Sequence, residues 1–325
     1  MPALLKSDYF EYSGVGHYTS SEIENISDKE DIEQRVKNNR EKALNFMNNF
    51  GGKLYESYHD AIEDKQVSSI YIPLPPQLHY KYAMQSLSNG KHVLLEKPAT
   101  LSYKEISSLV DLAKTNNLAL HENYMFIFHS QLAIIKEYIE SGYIGNIRLY
   151  RISFGFPFRG KRDFRYNKSL GGGALFDVGG YTIKLATLLL GKSTIIDSAI
   201  SNFADEFDVD LYGHGVLTNN ENQVAHISFG MDNDYKCELE VWGSTGTLYT
   251  NRIFTAPINY NPIIKITKNG NIEETKLDSD DTFFKSLTHF KNCIVDKKIR
   301  ECNYDEILFQ SKLIEDFKIK AGIEW

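Results

Sequence analysis

Hydrophobic and polar positions form a pattern that repeats along the first part of the chain. The segment NREKALNFMNNFG places its apolar residues on one stripe and stops at Gly51, which predicts a helix that ends at the glycine. Three later segments each combine a helical pattern, a turn and a short apolar strand: DAIEDKQVSSIYIPLPP, HYKYAMQSLSNGKHVLLEKP and YKEISSLVDLAKTNNLALHENYMF. Helices and strands that alternate in this way predict βαβ units with a parallel sheet.

The pattern changes near residue 147, where short strands follow one another without long helices between them. They include IRLYRISFGF, TIIDSAISNF, DLYGHGVLTN, QVAHISFGM, KCELEVWGS and IIKITKN. Such a series predicts a large, mostly antiparallel sheet, closed by one amphipathic helical stretch over Asp281–Lys320. We therefore expect an α/β domain over residues 1–124 and an α+β domain over residues 125–325.

Composition narrows the possible partners. The 325 residues include 36 basic and 43 acidic ones, and the net charge of −7 argues against nucleic acid or an anionic membrane. The apolar runs are too short to cross a bilayer, and MPALLKSDYF does not read as a signal peptide. Three widely spaced cysteines, Cys237, Cys293 and Cys302, predict neither a disulfide framework nor a metal site. A cytoplasmic protein without a metal is expected.

The stretch YSGVGHYTSSEI at residues 12–23 looks like a dinucleotide-binding loop but lacks its main features. A fingerprint G-x-G-x-x-G would need a third glycine where Ser20 stands. The acidic residues Glu22, Glu24 and Asp28 would repel a pyrophosphate at the start of the following helix. We interpret the stretch as the end of a strand that runs into an acidic, solvated insertion.

The segment HVLLEKPAT carries a sharper signal. A buried strand delivers Glu96, Lys97 and Pro98 at its carboxyl end, which is the edge of a parallel sheet where ligands bind. A lysine at that edge can hydrogen-bond a reacting oxygen. The alternative interpretation is a surface Glu-Lys turn that precedes a helix.

The segment SLGGGALFDVGGYTIKLATLLLG is the second signal. Gly171–Gly173 precede a predicted helix and would allow a ligand to approach the backbone. Asp177 and Tyr181 are four residues apart and share one face of an α-helix, and Lys184 leans toward the same side. The alternative is a glycine-rich helix that packs tightly on the other domain.

Further candidates lie at strand ends and in one basic loop. His79 follows a strand end where a nicotinamide ribose could lie, although a lone histidine is more often structural. Glu122, Asn123 and His129 lie at the predicted domain junction. The loop KRDFRYNKSLGG could hold the phosphates and base of a nucleotide-sugar or could simply be solvated, and its candidates are Lys161, Arg162, Arg165 and Tyr166.

Together these segments resemble the glucose–fructose oxidoreductase / inositol dehydrogenase / MocA family. YIPLPPQLHYKYAMQSLSNGKHVLLEKPAT and GGGALFDVGGYTI are similar to the two signatures of that family, at the expected separation. NYMFIFHSQ, DFRYNKSLGGGALFDVGGYTI, FGMDNDY and GSTGTLYTNRIFTAPINYNP resemble its nucleotide-sugar 3-ketoreductases more closely. The resemblance runs from about residue 40 to the carboxyl terminus.

The resemblance implies a Rossmann-like domain, a second domain with a large sheet, and a site between them. It implies hydride transfer between NADP(H) or NAD(H) and a keto or hydroxyl carbon of a sugar or nucleotide-sugar, in a homodimer or homotetramer formed through the open sheet face. The implied catalytic residues are Lys97, Tyr181 and Asp177. The implied cofactor-binding residues are Pro73, Leu74, His79, Glu96, Lys97 and Pro98, and the implied substrate-binding residues are Asn123, Arg165, Tyr166, Gly172, Gly173 and Lys184.

The start of the chain departs from the family pattern. In relatives, PALLKSDYFE corresponds to the end of the first helix, which makes EYSGV the second strand. On that register we expect a Rossmann domain that lacks its first strand and its glycine loop, with an insertion at residues 19–40. The alternative function is a non-catalytic sugar-binding or scaffold protein that descends from such an enzyme and has lost its cofactor.

Overall fold

A computed structural model describes residues 1–22 and 29–323 of the chain. The first part consists of short parallel strands with helices between them, as predicted. Its elements are α1 (Pro2–Leu5), β1 (Gly14–Gly16), α2 (Lys29–Phe50), β2 (Lys53–Tyr55), α3 (Tyr58–Glu63), β3 (Ser69–Ile72), α4 (Pro76–Ser88), β4 (His92–Leu95), α5 (Tyr103–Thr115) and β5 (Leu120–Glu122).

The parallel strands form two separate sheets among the described residues. One contains β1 and β2, and the other contains β3, β4 and β5 in that order. In the doubly wound order the first strand lies between the second and the fourth, which correspond here to β1 and β3. The prediction of a Rossmann-like sheet is therefore confirmed, and no described strand joins its two parts. The opening glycines Gly14 and Gly16 lie in β1 rather than in a loop around a phosphate.

Local sequence explains the elements that border the site. The apolar run of β4 is buried on both faces, as a central parallel strand requires. Pro76 begins α4 at a position where the missing N–H costs no hydrogen bond. Ser102 caps α5 by accepting a hydrogen bond from the backbone of Glu105. These features fix the loops after β3 and β4 at one edge of the sheet.

The second part of the chain is built on one large sheet. Its elements are α6 (Gln131–Glu140), β6 (Ile147–Gly155), α7 (Gly180–Leu190), β7 (Ile195–Phe203), β8 (Asp210–Thr218), β9 (Val224–Gly230), β10 (Lys236–Gly243), β11 (Gly246–Asn251), β12 (Ile263–Lys268), β13 (Asn271–Lys276), α8 (Thr282–Val295) and α9 (Lys297–Lys320). The strand order is β13-β12-β11-β10-β6-β9-β8-β7, and only the pair β6–β9 is parallel. The mostly antiparallel sheet is confirmed.

One face of this sheet is covered and the other is open. Side chains along β10 alternate between buried and exposed, and α7 and α9 pack on the buried side. The apolar stretch Lys168–Leu190, which includes α7, is long enough to cross a membrane, but 78% of its apolar window is buried inside the protein. It is therefore placed as a core helix.

The carboxyl-terminal helical stretch differs from its prediction. The sequence predicts one stretch over Asp281–Lys320, whereas the structure has two helices that meet at Asp296. The carboxylate of Asp296 accepts hydrogen bonds from the backbone of Lys298 and Ile299, so it caps the start of α9. Such a cap favours a helix start and so breaks the continuous helix.

Candidate active site

A cleft of about 330 Å³ opens between the carboxyl ends of β3 and β4 and the segment that leads into α7. Parallel strands bring their following loops to the same edge, which explains why two distant sequence motifs meet here. The predicted residues that line the cleft are Pro73, Leu74, Glu96, Lys97, Pro98, Arg165, Gly172 and Asp177. Pro75, Pro76, Phe164 and Gly171 complete the lining.

Lys97 is anchored across the cleft by Asp177. Its Nζ donates to the backbone oxygen of Asp177 at 2.7 Å and to Oδ1 at 2.8 Å. The two side chains are 13% and 11% exposed, so the ion pair is largely removed from water. An ammonium has three N–H groups, and these contacts use two of them. The third is available to an oxygen of a ligand.

Asp177 also binds Arg165, and two cations therefore hold one carboxylate. Arg165 Nε donates to Asp177 Oδ2 at 2.7 Å, and its Nη1 donates to Asp163. Burial alone would raise the pKa of Asp177, but Lys97 and Arg165 outweigh burial and hold the pKa below its ordinary value. The carboxylate thus stays ionised and orients both cations.

The segment that carries Asp177 is a π turn and not the regular α-helix that the sequence predicts. The π turn spans Leu175–Gly179, and the N–H of Gly180 reaches back five residues to the oxygen of Leu175. A π turn is a local break in the usual ladder, and such breaks are frequent at functional sites. The backbone oxygen of Asp177 accepts from Lys97 at this break.

Two glycines after Asp177 are required by close packing. A Cβ at Gly180 would lie 2.3 Å from the hydroxyl oxygen of Tyr124, and one at Gly179 would lie 3.1 Å from the ring of Phe229. The structure therefore supports the packing explanation for this pair of glycines.

Tyr181 lies behind Lys97 in an aromatic pocket. Lys97 Nζ is 4.9 Å from the centroid of the Tyr181 ring. The nearest described partner of the hydroxyl is the sulfur of Met125 at 4.0 Å, which is a weak acceptor. Burial raises the pKa of Tyr181 above its ordinary value, so the phenol keeps its proton. The rings around it are Tyr124, Phe126, Phe154 and Phe254.

The glycine run before the π turn is needed to fit the protein's own backbone. A Cβ at Gly172 would lie 2.4 Å from the backbone oxygen of Arg165, and Gly171 and Gly173 have φ values of +77° and +115°. Asp210, which is fully buried, accepts a hydrogen bond from the N–H of Leu175 at 2.8 Å. A carboxylate therefore already occupies this helix start, which makes it a poor site for a phosphate.

His79 lies beneath the cleft instead of lining it. It is fully buried, and its Nδ1 and Nε2 lie 2.8 Å and 2.7 Å from the backbone oxygens of Pro98 and Leu74. Burial lowers the pKa of His79, and the two carbonyls act in the opposite direction. The ring thus lies between the loops that follow β3 and β4 and contacts both.

Four predicted substrate residues do not reach the cleft lining. The Tyr166 hydroxyl donates to the backbone oxygen of Met231 at 2.6 Å, because the ring belongs to the core. Lys184 shares α7 with Tyr181, but its Nζ lies 3.8 Å from Glu306 and does not line the cleft. Asn123 donates a hydrogen bond to Glu96 at 2.8 Å, so it contacts a lining residue without lining the cleft itself. Gly173 belongs to the turn described above.

Two other residues near the cleft were not identified by the sequence analysis. Met125 contacts the Tyr181 hydroxyl, and Asp210 caps the segment that carries Asp177, although each lies far from its partner in sequence. Lys161 forms an ion pair with Glu206, so it is less available to a phosphate. No local pattern predicts contacts that only the packing of separate elements creates.

The lining fits the nicotinamide end of a dinucleotide. Pro73, Leu74 and Pro98 offer a flat apolar wall, and Glu96 and Lys97 offer polar groups at its edge. At the other end, within residues 1–22 and 29–323, no glycine turn leads directly from a parallel strand into a helix. The lining residues therefore fit the nicotinamide end of the cofactor, where the hydride is carried.

Comparisons with known proteins agree with this architecture. Residues 13–124 match the oxidoreductase family GFO_IDH_MocA with an NAD-binding Rossmann fold, and residues 132–249 match the GFO/IDH/MocA C-terminal domain. A dTDP-3,4-didehydro-2,6-dideoxy-alpha-D-glucose 3-reductase from Actinomadura kijaniata is 35% identical over 86% of this chain and 85% of its own. Its counterpart from Saccharopolyspora spinosa is 36% identical over 77% of this chain and 75% of its own.

A solved structure gives the same result. KijD10, a 3-ketoreductase from Actinomadura kijaniata in complex with NADP and TDP-benzene, superposes with a TM-score of 0.89 at 31% identity, over 98% of this chain and 92% of its own. Solved variants of KijD10 include replacements of one lysine and of one tyrosine. On these similarities and on the cleft that Lys97 and Asp177 line, this chain is an oxidoreductase of the GFO/IDH/MocA family.

Proposed function

We propose that the protein is an NAD(P)-dependent oxidoreductase that transfers hydride to or from a keto or hydroxyl carbon of a nucleotide-linked sugar. The observation that carries the proposal is the position of Lys97 at the cleft, with Asp177 on one side and the Tyr181 ring on the other. The 3-reductase and 3-ketoreductase relatives favour a sugar linked to a nucleoside diphosphate as the substrate class.

The cofactor supplies or accepts the hydride when it is bound. Pro73, Leu74 and Pro98 would hold the apolar face of the nicotinamide, and Glu96 and Lys97 its edge. His79 would act from below by keeping the two loops at a fixed separation. The proposal thus assigns His79 a supporting contribution and not a direct contact.

Lys97 and Tyr181 would handle the proton on the reacting oxygen. In the direction of reduction the carbonyl oxygen gains negative charge, and it takes a proton from the Tyr181 phenol or from the Lys97 ammonium. The third N–H of Lys97 has no hydrogen-bond acceptor among the described residues, and the Tyr181 hydroxyl has only the sulfur of Met125 there, which is a weak acceptor. Asp177 keeps the ammonium charged and aimed, and a positioned acid of this kind contributes about 10²–10⁴-fold to the rate.

The substrate side is formed by the loop before α7. Arg165 and Gly172 line the cleft and would contact the sugar, whereas Asn123, Tyr166, Gly173 and Lys184 would act through packing. Arg159 and Arg162 are exposed on the same loop, and no carboxylate of the described residues forms an ion pair with either. They would serve the phosphates of the nucleotide.

The reaction itself provides the test. The protein is mixed with NADPH and a dTDP-linked 3-keto-sugar, and the loss of NADPH absorbance is followed. We expect turnover for the wild type and at least about a hundredfold lower kcat for Lys97→Met. If the wild type oxidises no NADPH with any keto-sugar nucleotide while the fold is intact, the proposal is wrong.

A second candidate is a sugar-binding protein without catalysis. It is favoured by the separation of the two parallel sheets and by the missing glycine turn among the described residues. A titration of protein fluorescence with NADPH distinguishes the two functions. Saturable binding supports the oxidoreductase, and binding of a dTDP-sugar without any binding of NADPH supports the second candidate.

We also propose that the protein forms dimers or tetramers in the cytoplasm. The open face of the large sheet exposes Ile200, Tyr212 and Trp242 among polar neighbours, which is typical of an interface between subunits. Cys237, Cys293 and Cys302 are free thiols, which suits a reducing compartment.

A further inference from the structure

The four residues that follow β4 are each held by a different part of the fold. Glu96 accepts two hydrogen bonds, Lys97 donates two, Pro98 accepts from a histidine, and Ala99 donates its N–H to a carboxylate. The partners are, in order, Tyr71 with Asn123, Asp177, His79 and Glu122. This segment carries Lys97, so its anchors determine where the ammonium lies.

The last of these anchors is buried and titratable. Glu122 Oε1 accepts the N–H of Ala99 at 2.7 Å, and the residue is only 7% exposed. It ends β5, where it is the register partner of Leu95 at the end of β4. Glu122 does not line the cleft, and its hydrogen bond to Ala99 links it to the segment that carries Lys97.

Charges from three elements face Glu122. Lys184 approaches from α7, Lys97 and Glu96 belong to the segment after β4, and the Tyr124 phenol belongs to the segment after β5. Lys184 is itself paired with Glu306 of α9 at 3.8 Å. Burial raises the pKa of Glu122 to about 7, against the effects of Lys184, the Ala99 N–H and Lys97. The carboxyl group therefore changes its charge within the range in which the protein works.

We propose that Glu122 is a positioning residue for Lys97. Its ionised carboxylate holds the Ala99 N–H and so fixes the segment that presents the ammonium to Asp177 and to the substrate oxygen. The proposal rests on the proposed function for its kinetic test, and a second measurement below does not depend on turnover.

The ionised form of Glu122 favours catalysis but lowers the stability of the folded protein. A hydrogen bond to a carboxylate is about twice as strong as a neutral one, so ionisation tightens the segment. The raised pKa means that the folded state prefers the protonated form. This contribution to stability is complete below the ordinary pKa of a glutamate and is lost as the pH rises through about 7. A neutral isostere should therefore weaken catalysis and stabilise the fold at alkaline pH, which a purely structural residue would not do.

The test compares Glu122→Gln with Glu105→Gln. Glu105 is the matched control, because it accepts the N–H of Leu101 at 3.3 Å on the other side of the same loop. For both variants, kcat and KM are measured between about pH 5.5 and 8.5, a range that brackets the expected transition. Thermal unfolding is recorded at both ends of that range, and amide hydrogen exchange is followed at Ala99. Glu122→Ala serves as a third variant for the exchange measurement.

We expect the wild-type kcat to fall as the pH drops through about 7 and this fall to disappear in Glu122→Gln. At the alkaline end, kcat of Glu122→Gln should be about three- to tenfold below wild type with a higher midpoint of unfolding. Exchange at Ala99 should accelerate about tenfold in Glu122→Ala. Glu105→Gln should keep the wild-type pH profile.

Three results would overturn the proposal. They are an unchanged pH profile and kcat in Glu122→Gln, a parallel loss of kcat and thermal stability in that variant, or unchanged Ala99 exchange in Glu122→Ala. A wild type without turnover would refute the proposed function instead, and the Ala99 exchange would still decide whether Glu122 holds the segment.

Discussion

The ammonium of Lys97 lies between the carboxylate of Asp177 and the ring of Tyr181. Its Nζ is 2.8 Å from Asp177 Oδ1 and 4.9 Å from the centroid of the ring. One residue follows a parallel strand and the other two follow a glycine run about eighty positions later. A charged donor that lines the cleft and a buried neutral phenol therefore lie next to each other, and each can be tested against a residue of the same type elsewhere in the fold.

Replacement of Tyr181 by Phe should reduce activity without reducing stability. The hydroxyl has only a sulfur at 4.0 Å among the described residues, so its loss breaks no strong hydrogen bond. We expect kcat to fall about a hundredfold at an unchanged unfolding midpoint. The matched control is Tyr304→Phe, which removes a buried hydrogen bond to the backbone oxygen of Leu118 and should cost about 1 kcal/mol of stability with little change in kcat. Equal behaviour of the two variants in both measurements would contradict the assignment.

Replacement of Lys97 by Met should abolish most of the activity. Methionine is close in length but lacks the charge and the donors, so the reacting oxygen loses a hydrogen bond and Asp177 loses a partner. We expect kcat to fall about 10²–10⁴-fold, measured with saturating NADPH. Lys104→Met, on the exposed face of α5, is the control and should match the wild type. Comparable kcat values for Lys97→Met and the wild type would exclude Lys97 from the reaction.

Replacement of Arg165 by Gln should make stability less sensitive to acid than it is in the wild type. Arg165 helps to keep the pKa of Asp177 low, against the effect of burial. A lowered pKa stabilises the folded state above the ordinary value of an aspartate, and this stability is lost as the pH falls through the folded value. We expect Arg165→Gln to cost about 3 kcal/mol near neutral pH, with a gap from wild type that narrows toward about pH 3.

Urea unfolding at several pH values measures this gap. Arg35→Gln is the control, because Arg35 pairs with Asp31 on an exposed helix face and such pairs contribute less than about 1 kcal/mol. A gap of constant size at all pH values would show that Arg165 contributes by packing and not through Asp177.

Much of the architecture could be predicted because it depends on periodicity. The change from helix-strand alternation to a series of short strands gave the two kinds of sheet, and the prolines after β3 and β4 marked the edge where ligands bind. Lys97 could be assigned to the ligand-binding edge for the same reason, whereas the family resemblance placed Asp177 in the same cleft.

The contacts that set the chemistry were harder to predict. The π turn at Leu175–Gly179 has no periodic signature, so the sequence predicts a regular helix there. The acceptor for Tyr166 lies 65 residues away in sequence, and the acceptor for Ala99 lies on another strand. Such pairs form only when separate elements pack. Propensity and spacing describe one element at a time and therefore cannot supply them.

A charge placed on the open face of the large sheet should dissociate the oligomer into single subunits. Trp242 is 49% exposed on β10, a central strand, and the guanidinium of Arg151 lies 5.3 Å from the centre of its ring. A large ring on an open face is the kind of residue that dominates subunit contacts. Trp242→Glu would bury a carboxylate next to Glu240 in such a contact, so we expect the mass in sedimentation equilibrium to fall to that of one chain. Phe283→Glu is the control, because Phe283 is equally exposed but lies on α8. An oligomer that survives Trp242→Glu, or a wild type that is already monomeric, would contradict an interface at this face.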